Sequence, residues 1–237
     1  MTLSSEQASS STLKTSARVP LKVADLLSRI IPATFFLIIV IRNLIDLTKF
    51  FEANSFQSRP FAGVVFFTAR LTTTCFLALM SVLFLIRIEP LQKAKGVWPR
   101  IMAIVGTFCL YAVTLFPRAN LSVTQTMVAT VISLIGTCLS IFALAHLGRS
   151  FSLMAEARRL VTSGPYRFVR HPLYLFETVA SFGILLQFIS LPTIVIFLAY
   201  IVIQLQRMKN EEAVLERTFP EYHDYRLRTS RVIPRIY

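Results

Sequence analysis

The stretch Gly164-Pro165-Tyr166-Arg167-Phe168-Val169-Arg170-His171-Pro172-Leu173-Tyr174-Leu175-Phe176-Glu177 sets arginines, a histidine, tyrosines and a carboxylate directly ahead of an apolar run. Polar side chains at this density beside a membrane-grade segment are costly unless they line a site. Pro172 suits the first turn of a helix, where its missing N–H costs nothing. His171 then falls at or just before the helix start, and Tyr174 and Glu177 follow on neighbouring faces of the first turns. The spacing predicts that Arg170, His171, Tyr174 and Glu177 converge on one pocket at a membrane surface. A second polar cluster lies in the tail, where Glu211-Glu212 precede Glu216-Arg217 and Phe219-Pro220-Glu221-Tyr222-His223-Asp224-Tyr225-Arg226. Adjacent carboxylates point to different helix faces, so one of Glu211 and Glu212 is expected to face a site. Glu216 and Arg217 read as a solvated helix surface.

The elements that must position these residues are read from the apolar runs. Of 237 residues, 54% are apolar and 16% charged, too apolar a balance for an ordinary soluble domain. The expected fold is an all-α polytopic membrane helical bundle of about six spans, ending in a short helical hairpin. Residues 1–22 read as a disordered N-terminal tail rich in Ser and Thr. Spans are expected near 28–46, 61–86, 101–116 and 123–145. Residues 173–206 hold two short apolar pieces split by Ser190-Leu191-Pro192. In domain terms, residues 23–145 form N-terminal transmembrane helices and residues 146–237 a core with a tail. Ser133, Gly136, Thr137 and Ser140 recur at helical spacing, which favours close helix packing. Arg42 and Asp46 stand four apart and are expected to pair on one helix face near an interface; Arg70, if buried, needs a partner.

The net charge is +13, from 25 basic and 12 acidic residues. The basic residues lie mostly between and beyond the apolar runs, so they suit anionic lipid at the cytoplasmic face rather than nucleic acid. Both termini, the central motif and the tail are then cytoplasmic, which lets the motif and the tail meet. Cys75, Cys109 and Cys138 each fall inside an apolar run and read as small buried hydrophobes. His146, His171 and His223 lack metal-ligand spacing, and no G-x-G-x-x-G follows a strand, so neither a metal site nor a Rossmann cofactor site is expected.

Arg170-His171-Pro172-Leu173-Tyr174, the paired Glu211-Glu212 about forty residues later, and then Phe219-Pro220-Glu221-Tyr222 with Tyr225, resemble the isoprenylcysteine carboxyl methyltransferase family. The likeness covers roughly residues 140–235 and extends to phospholipid N-methyltransferases. It implies S-adenosylmethionine as methyl donor and a lipophilic or lipid-modified acceptor entering from membrane lipid. By the same resemblance, His171, Pro172 and Tyr174 fall on the cofactor-binding motif, flanked by Gly164, Tyr166 and Arg170. Glu211 or Glu212 falls on the paired acids, and Tyr222 and Arg226 lie in the tail that closes the site.

Elementary chemistry agrees with that cofactor. A carboxylate such as Glu212 suits a ribose diol or an ammonium, and arginine suits a carboxylate. Tyrosine faces suit an adenine ring and, by cation–π attraction, a sulfonium methyl. A carboxylate acceptor is already ionised and needs only orientation by an arginine, Arg170 or Arg226. An amine or thiol needs a base, for which Glu177 and His171 are the candidates. Residue types near the motif do not separate these acceptors. A phospholipid or small-lipid N-methyltransferase, and a transporter or scaffold using Arg42, Asp46 and Arg70, stay open as alternatives; the oligomeric state is not readable.

Overall fold

The computed structural model describes residues 21–52 and 60–234. The tail expected over 1–22 lies outside the described residues, apart from Leu21 and Lys22, which already begin a helix. Helix α1 runs from Leu21 to Glu52, α2 from Pro60 to Ile86 and α3 from Trp98 to Phe108, the last continued by a 3-10 turn over Cys109–Leu115. Helix α4 covers Val123–Leu147, α5 Pro172–Gln187, α6 Leu191–Thr218 and α7 Tyr222–Arg228. Five stretches are long and apolar enough to cross a membrane, with α5 a shorter apolar helix beside them. This is a polytopic, predominantly helical integral membrane protein.

Local sequence sets the boundaries. Ser122 and Gln125 form a reciprocal capping box that starts α4. Pro172 occupies the first turn of α5 with His171 as the preceding residue. The Thr193 hydroxyl accepts the Ser190 N–H at 2.9 Å and so fixes the turn into α6. Gly148 ends α4 at φ +51°, a backbone region that favours glycine. The hairpin is unequal. Its second arm continues as one 28-residue helix into the polar segment, because Gln204 through Thr218 contain no breaker.

One apolar core joins α1, α2, α4 and the start of α5 through Phe36, Val40, Met80, Phe84, Leu144 and Leu173. The small-residue stripe on α4 packs against α5, as its spacing predicts. A Cβ added at Gly136 would lie 2.3 Å from the Ala180 backbone nitrogen, and one at Gly183 would lie 2.5 Å from the Ala129 carbonyl. Only glycine permits these two backbones to approach so closely.

Two expectations need correction. Asp46 does not pair with Arg42 along α1; it pairs with Arg70 on α2, at 3.6 Å. Tertiary packing brings the opposite helix nearer than the next turn. Cys75 and Cys138 are free and exposed, on outward faces of membrane helices rather than in the protein core. Their apolar surroundings are those of lipid-facing positions.

The basic loops after α2 and α4 are tied together. Strand β1, Gln92–Lys93, runs antiparallel to β2, Glu156–Ala157, with Gln92 opposite Ala157. Arg158 is buried beside Glu156, at 2.5 Å, and burial lowers its pKa while that carboxylate opposes the shift. These loops form a floor against which the polar end of α6 rests.

Candidate active site

The site is built where the start of α5, the polar end of α6 and the tail after α7 meet. Residues Val169–His171 and Ser230–Arg231 form a short parallel contact. The Arg170 N–H donates to the Ser230 carbonyl at 2.8 Å and the His171 N–H to the Arg231 carbonyl at 3.0 Å. Motif and tail are therefore held together by backbone as well as by side chains.

Glu212 is buried at the centre. Its Oε1 lies 3.1 Å from His171 Nε2 and 3.3 Å from Arg170 Nε. Arg231 grips both oxygens, Nε to Oε1 at 3.0 Å and Nη2 to Oε2 at 2.7 Å. A buried carboxylate in a low-dielectric setting is stabilised by this kind of multiple charge-assisted contact. Glu211 takes a different partner: the Tyr174 hydroxyl donates to its Oε1, and its Oε2 lies 3.9 Å from His171 Nδ1. Both acids therefore engage the motif, where one alone was expected. They project about 100° apart on α6, and His171 and Tyr174, one turn apart, reach both directions.

A polar string continues toward the bilayer. Arg207 is buried on α6 with its guanidinium 5.1 Å from the Tyr174 ring centroid. It donates to Gln204 Oε1 at 2.8 Å and to the Leu153 carbonyl at 3.3 Å. Gln204 in turn donates to the Tyr200 hydroxyl at 2.9 Å. Glu177 faces this string, with Arg207, Glu211 and Gln204 as its electrostatic neighbours. Gly106 on α3 makes room for it, since a Cβ there would lie 2.7 Å from Arg207 Cδ.

The flanking residues are placed as follows. Gly164 sits at φ +60°, and a Cβ would lie 2.1 Å from His146 Cδ2, so the loop passes tightly over the end of α4. Tyr166 is buried; burial pushes its phenol up, and the Glu211 and Glu177 carboxylates add to the shift. Its carbonyl accepts the Tyr225 hydroxyl at 2.6 Å. Pro172 is fully buried beneath the motif. Tyr222 is 1% exposed, and its hydroxyl has no hydrogen-bond partner among the described residues. Burial pushes the phenols of Tyr222 and Tyr225 up, so both remain neutral donors.

Arg226 is the sequence candidate that points elsewhere. Its guanidinium pairs with Glu216 at 3.2 Å on the exposed side, and only its carbonyl meets the site, accepting Arg170 Nη1 at 3.3 Å. The tail arginine that reaches Glu212, beside Arg170, is Arg231, which the motifs did not single out. Arg207 was missed too; its position one turn before Glu211 was the available signal.

The residues present fit a cationic nucleotide with an amino-acid end. Among the described residues Tyr222 Oη and Asn210 Nδ2 are buried without hydrogen-bond partners, and buried polar groups of this kind call for one. Glu211 is the less committed acid, with 24% of its side chain exposed against 8% for Glu212. Tyrosine faces and arginine donors stand beside it.

Fold and site together define a membrane helical bundle with a tail-closed polar site at one end of a hairpin. Residues 127–217 match the model of the isoprenylcysteine carboxyl methyltransferase (ICMT) family, so the resemblance read from the motifs is borne out over that segment. The chain is also similar to two curated proteins. One is the nickel-cobalt-cadmium resistance protein NccN of Alcaligenes xylosoxydans, 36% identical over 83 residues. The other is the cobalt-zinc-cadmium resistance protein CzcN of Cupriavidus metallidurans, 35% identical over 99 residues. These alignments cover 34% and 40% of this chain and 38% and 46% of the relatives, so the chain spans less than half the length of the curated relatives it matches. Among solved structures it is similar to the eukaryotic intramembrane Ras methyltransferase ICMT, with 18% identity, 92% of this chain and 98% of that chain covered, and a TM-score of 0.43.

Proposed function

We propose that this protein is a membrane methyltransferase that uses S-adenosylmethionine and a lipophilic acceptor carrying a carboxylate. The observation that carries this reading is the contact of Glu212 with both His171 and Arg231, which closes the tail over the motif. S-adenosylmethionine, when bound, supplies a methyl group activated by its sulfonium. Glu211 and Tyr174 hold its ribose diol or ammonium, the neutral Tyr222 hydroxyl donates to an acceptor atom, and Arg170 takes its carboxylate. Glu212 anchors the tail, and His171 and Pro172 set the start of α5 beneath the site. Closure of the tail excludes water, so positioning and desolvation supply most of the acceleration.

A carboxylate acceptor needs no general base. Exposed apolar side chains on the hairpin, among them Phe182, Leu198 and Val202, give it a lipid-side approach. The positive charge of the loops and tail supports a cytoplasmic position for the site.

The test is direct. Purified full chain is titrated with S-adenosylmethionine by calorimetry, then incubated with labelled cofactor and a membrane extract. The reading requires saturable binding that is weakened by Glu211→Gln and a base-labile methyl ester as product. A base-stable methylamine would instead make it a phospholipid or small-lipid N-methyltransferase. No cofactor binding would remove the methyltransferase reading and leave the transporter or scaffold. The metal-resistance names of the two relatives supply a setting but no ligand chemistry here: among the described residues no group of three His, Cys, Asp or Glu could hold a metal.

A further inference from the structure

At the end of the bundle opposite the His171 site lies a polar cavity of about 500 Å³. Its walls come from the late part of α1, the early part of α2, the loop before α4, the early part of α4 and the last turn of α5. Arg42, Arg70 and Arg118 line it against a single carboxylate, Asp46, with Thr130 and Gln187 adding polar groups. Arg42 lies eight residues inside the end of its span and Arg70 ten inside the start of its own, roughly 12 and 15 Å at 1.5 Å per residue. Guanidinium groups within apolar spans are costly unless they are partnered, functional or able to reach the interface.

Partners among the described residues do not account for them. Asp46 serves Arg70, at 3.6 Å. Arg118 lies over the Phe188 ring at 5.7 Å, and no described carboxylate pairs with it or with Arg42. The described lining thus carries an excess of positive charge inside a cavity large enough for a small ligand. Arginine forks match phosphate oxygens in geometry as well as charge. A bare phosphate would leave much of this volume unfilled, whereas a glycerophosphate headgroup would fill it with its acyl chains directed along the outward apolar faces of α1 and α2. Ile38, Ile41, Leu44 and Leu71 are exposed on those faces.

We propose that this cavity binds the phosphate of an anionic phospholipid headgroup in the leaflet opposite the candidate active site. The site is separate from the methyl-transfer reading and does not depend on it.

The test uses the full chain in neutral detergent, with lipid binding followed by native mass spectrometry. Phosphatidylglycerol should bind at least about tenfold more tightly than phosphatidylcholine. Arg42→Gln with Arg118→Gln should weaken phosphatidylglycerol about tenfold or more, the scale expected for lost charged hydrogen bonds. Asp46→Asn removes the one described carboxylate and should tighten binding, an effect that misfolding cannot mimic. Inorganic phosphate in millimolar excess tests the source of the anion. Failure to compete identifies the lipid headgroup, and full competition would replace it with the free ion. Equal binding of the two lipids, indifference to the arginine pair or weaker binding by Asp46→Asn would overturn the proposal.

Discussion

Glu212 and Arg231 meet in a two-point contact, 3.0 and 2.7 Å, although the end of α6 and all of α7 separate them in the chain. That contact latches the tail onto a helix whose other partners, His171 and Arg170, come from before the hairpin. Removing the fork should release the tail while leaving Glu212 its contacts with Arg170 and His171. Arg231→Ala is expected to cost about 1–3 kcal/mol of stability and to lower cofactor affinity. Arg231→Lys should fall between, since a point charge cannot reproduce the fork. Thermal unfolding and protease sensitivity near residues 226–231 check this.

Tyr174 and Tyr222 should behave in opposite ways. Tyr174→Phe removes the donor to Glu211 and is expected to destabilise the protein by about 1.5–3 kcal/mol, the range for a hydrogen bond to a charged group. The Tyr222 hydroxyl has no partner to lose among the described residues. Tyr222→Phe should leave Tm within about 1 °C of the parent, in line with a change well under 0.5 kcal/mol, yet weaken S-adenosylmethionine binding. Paired unfolding and calorimetric titrations separate the two roles.

Glu177 decides between acceptor chemistries. If the acceptor is a carboxylate, Glu177→Gln should change kcat by less than about tenfold. If a proton must be removed from an amine or thiol by this group, the loss should reach about 10²-fold or more. Single-turnover rates with the acceptor found in the extract experiment measure it.

Gly164→Ala meets two obstacles, a positive φ and the His146 ring. A double variant with His146→Ala removes the second and leaves the first. The single variant is expected to lose more than about 1–3 kcal/mol, and the double to regain only part of it. Denaturant unfolding of the set gives the partition.

Gly136→Ala tests the spacing of α4 and α5. The new methyl would meet Ala180 backbone, which cannot rotate away. Overpacking of this kind costs about 1–3 kcal/mol, and it should separate α5 from α4 enough to shift His171. Loss of cofactor affinity in parallel with Tm is the expected outcome.

Much of this arrangement was legible in the sequence, for identifiable reasons. Hydropathy marks the spans, because lipid imposes length and composition together. Pro172 marks the start of α5, and the order of motif, hairpin and acid pair carries the resemblance. Arg231 was not legible: the tail holds many arginines, and only the pairing of Val169 with Ser230 selects one of them. The engagement of both acids was hidden because helix geometry says where they point, not what stands opposite. The Asp46–Arg70 pair was hidden for the same reason, since spacing within α1 favours Arg42 and only tertiary packing supplies the stronger neighbour.

Helix α6 is unbroken from Leu191 to Thr218. The twenty residues from Leu191 to Glu211 rise roughly 30 Å, about the thickness of the hydrocarbon core. The helix therefore serves as a ruler: its apolar length fixes the height at which the two acids stand above the oily layer. Adding or deleting about a turn between Phe197 and Gln204 would move the acid pair by roughly 5 Å relative to His171 and Tyr174, which α5 holds where they are, and so draw the two halves of the site apart.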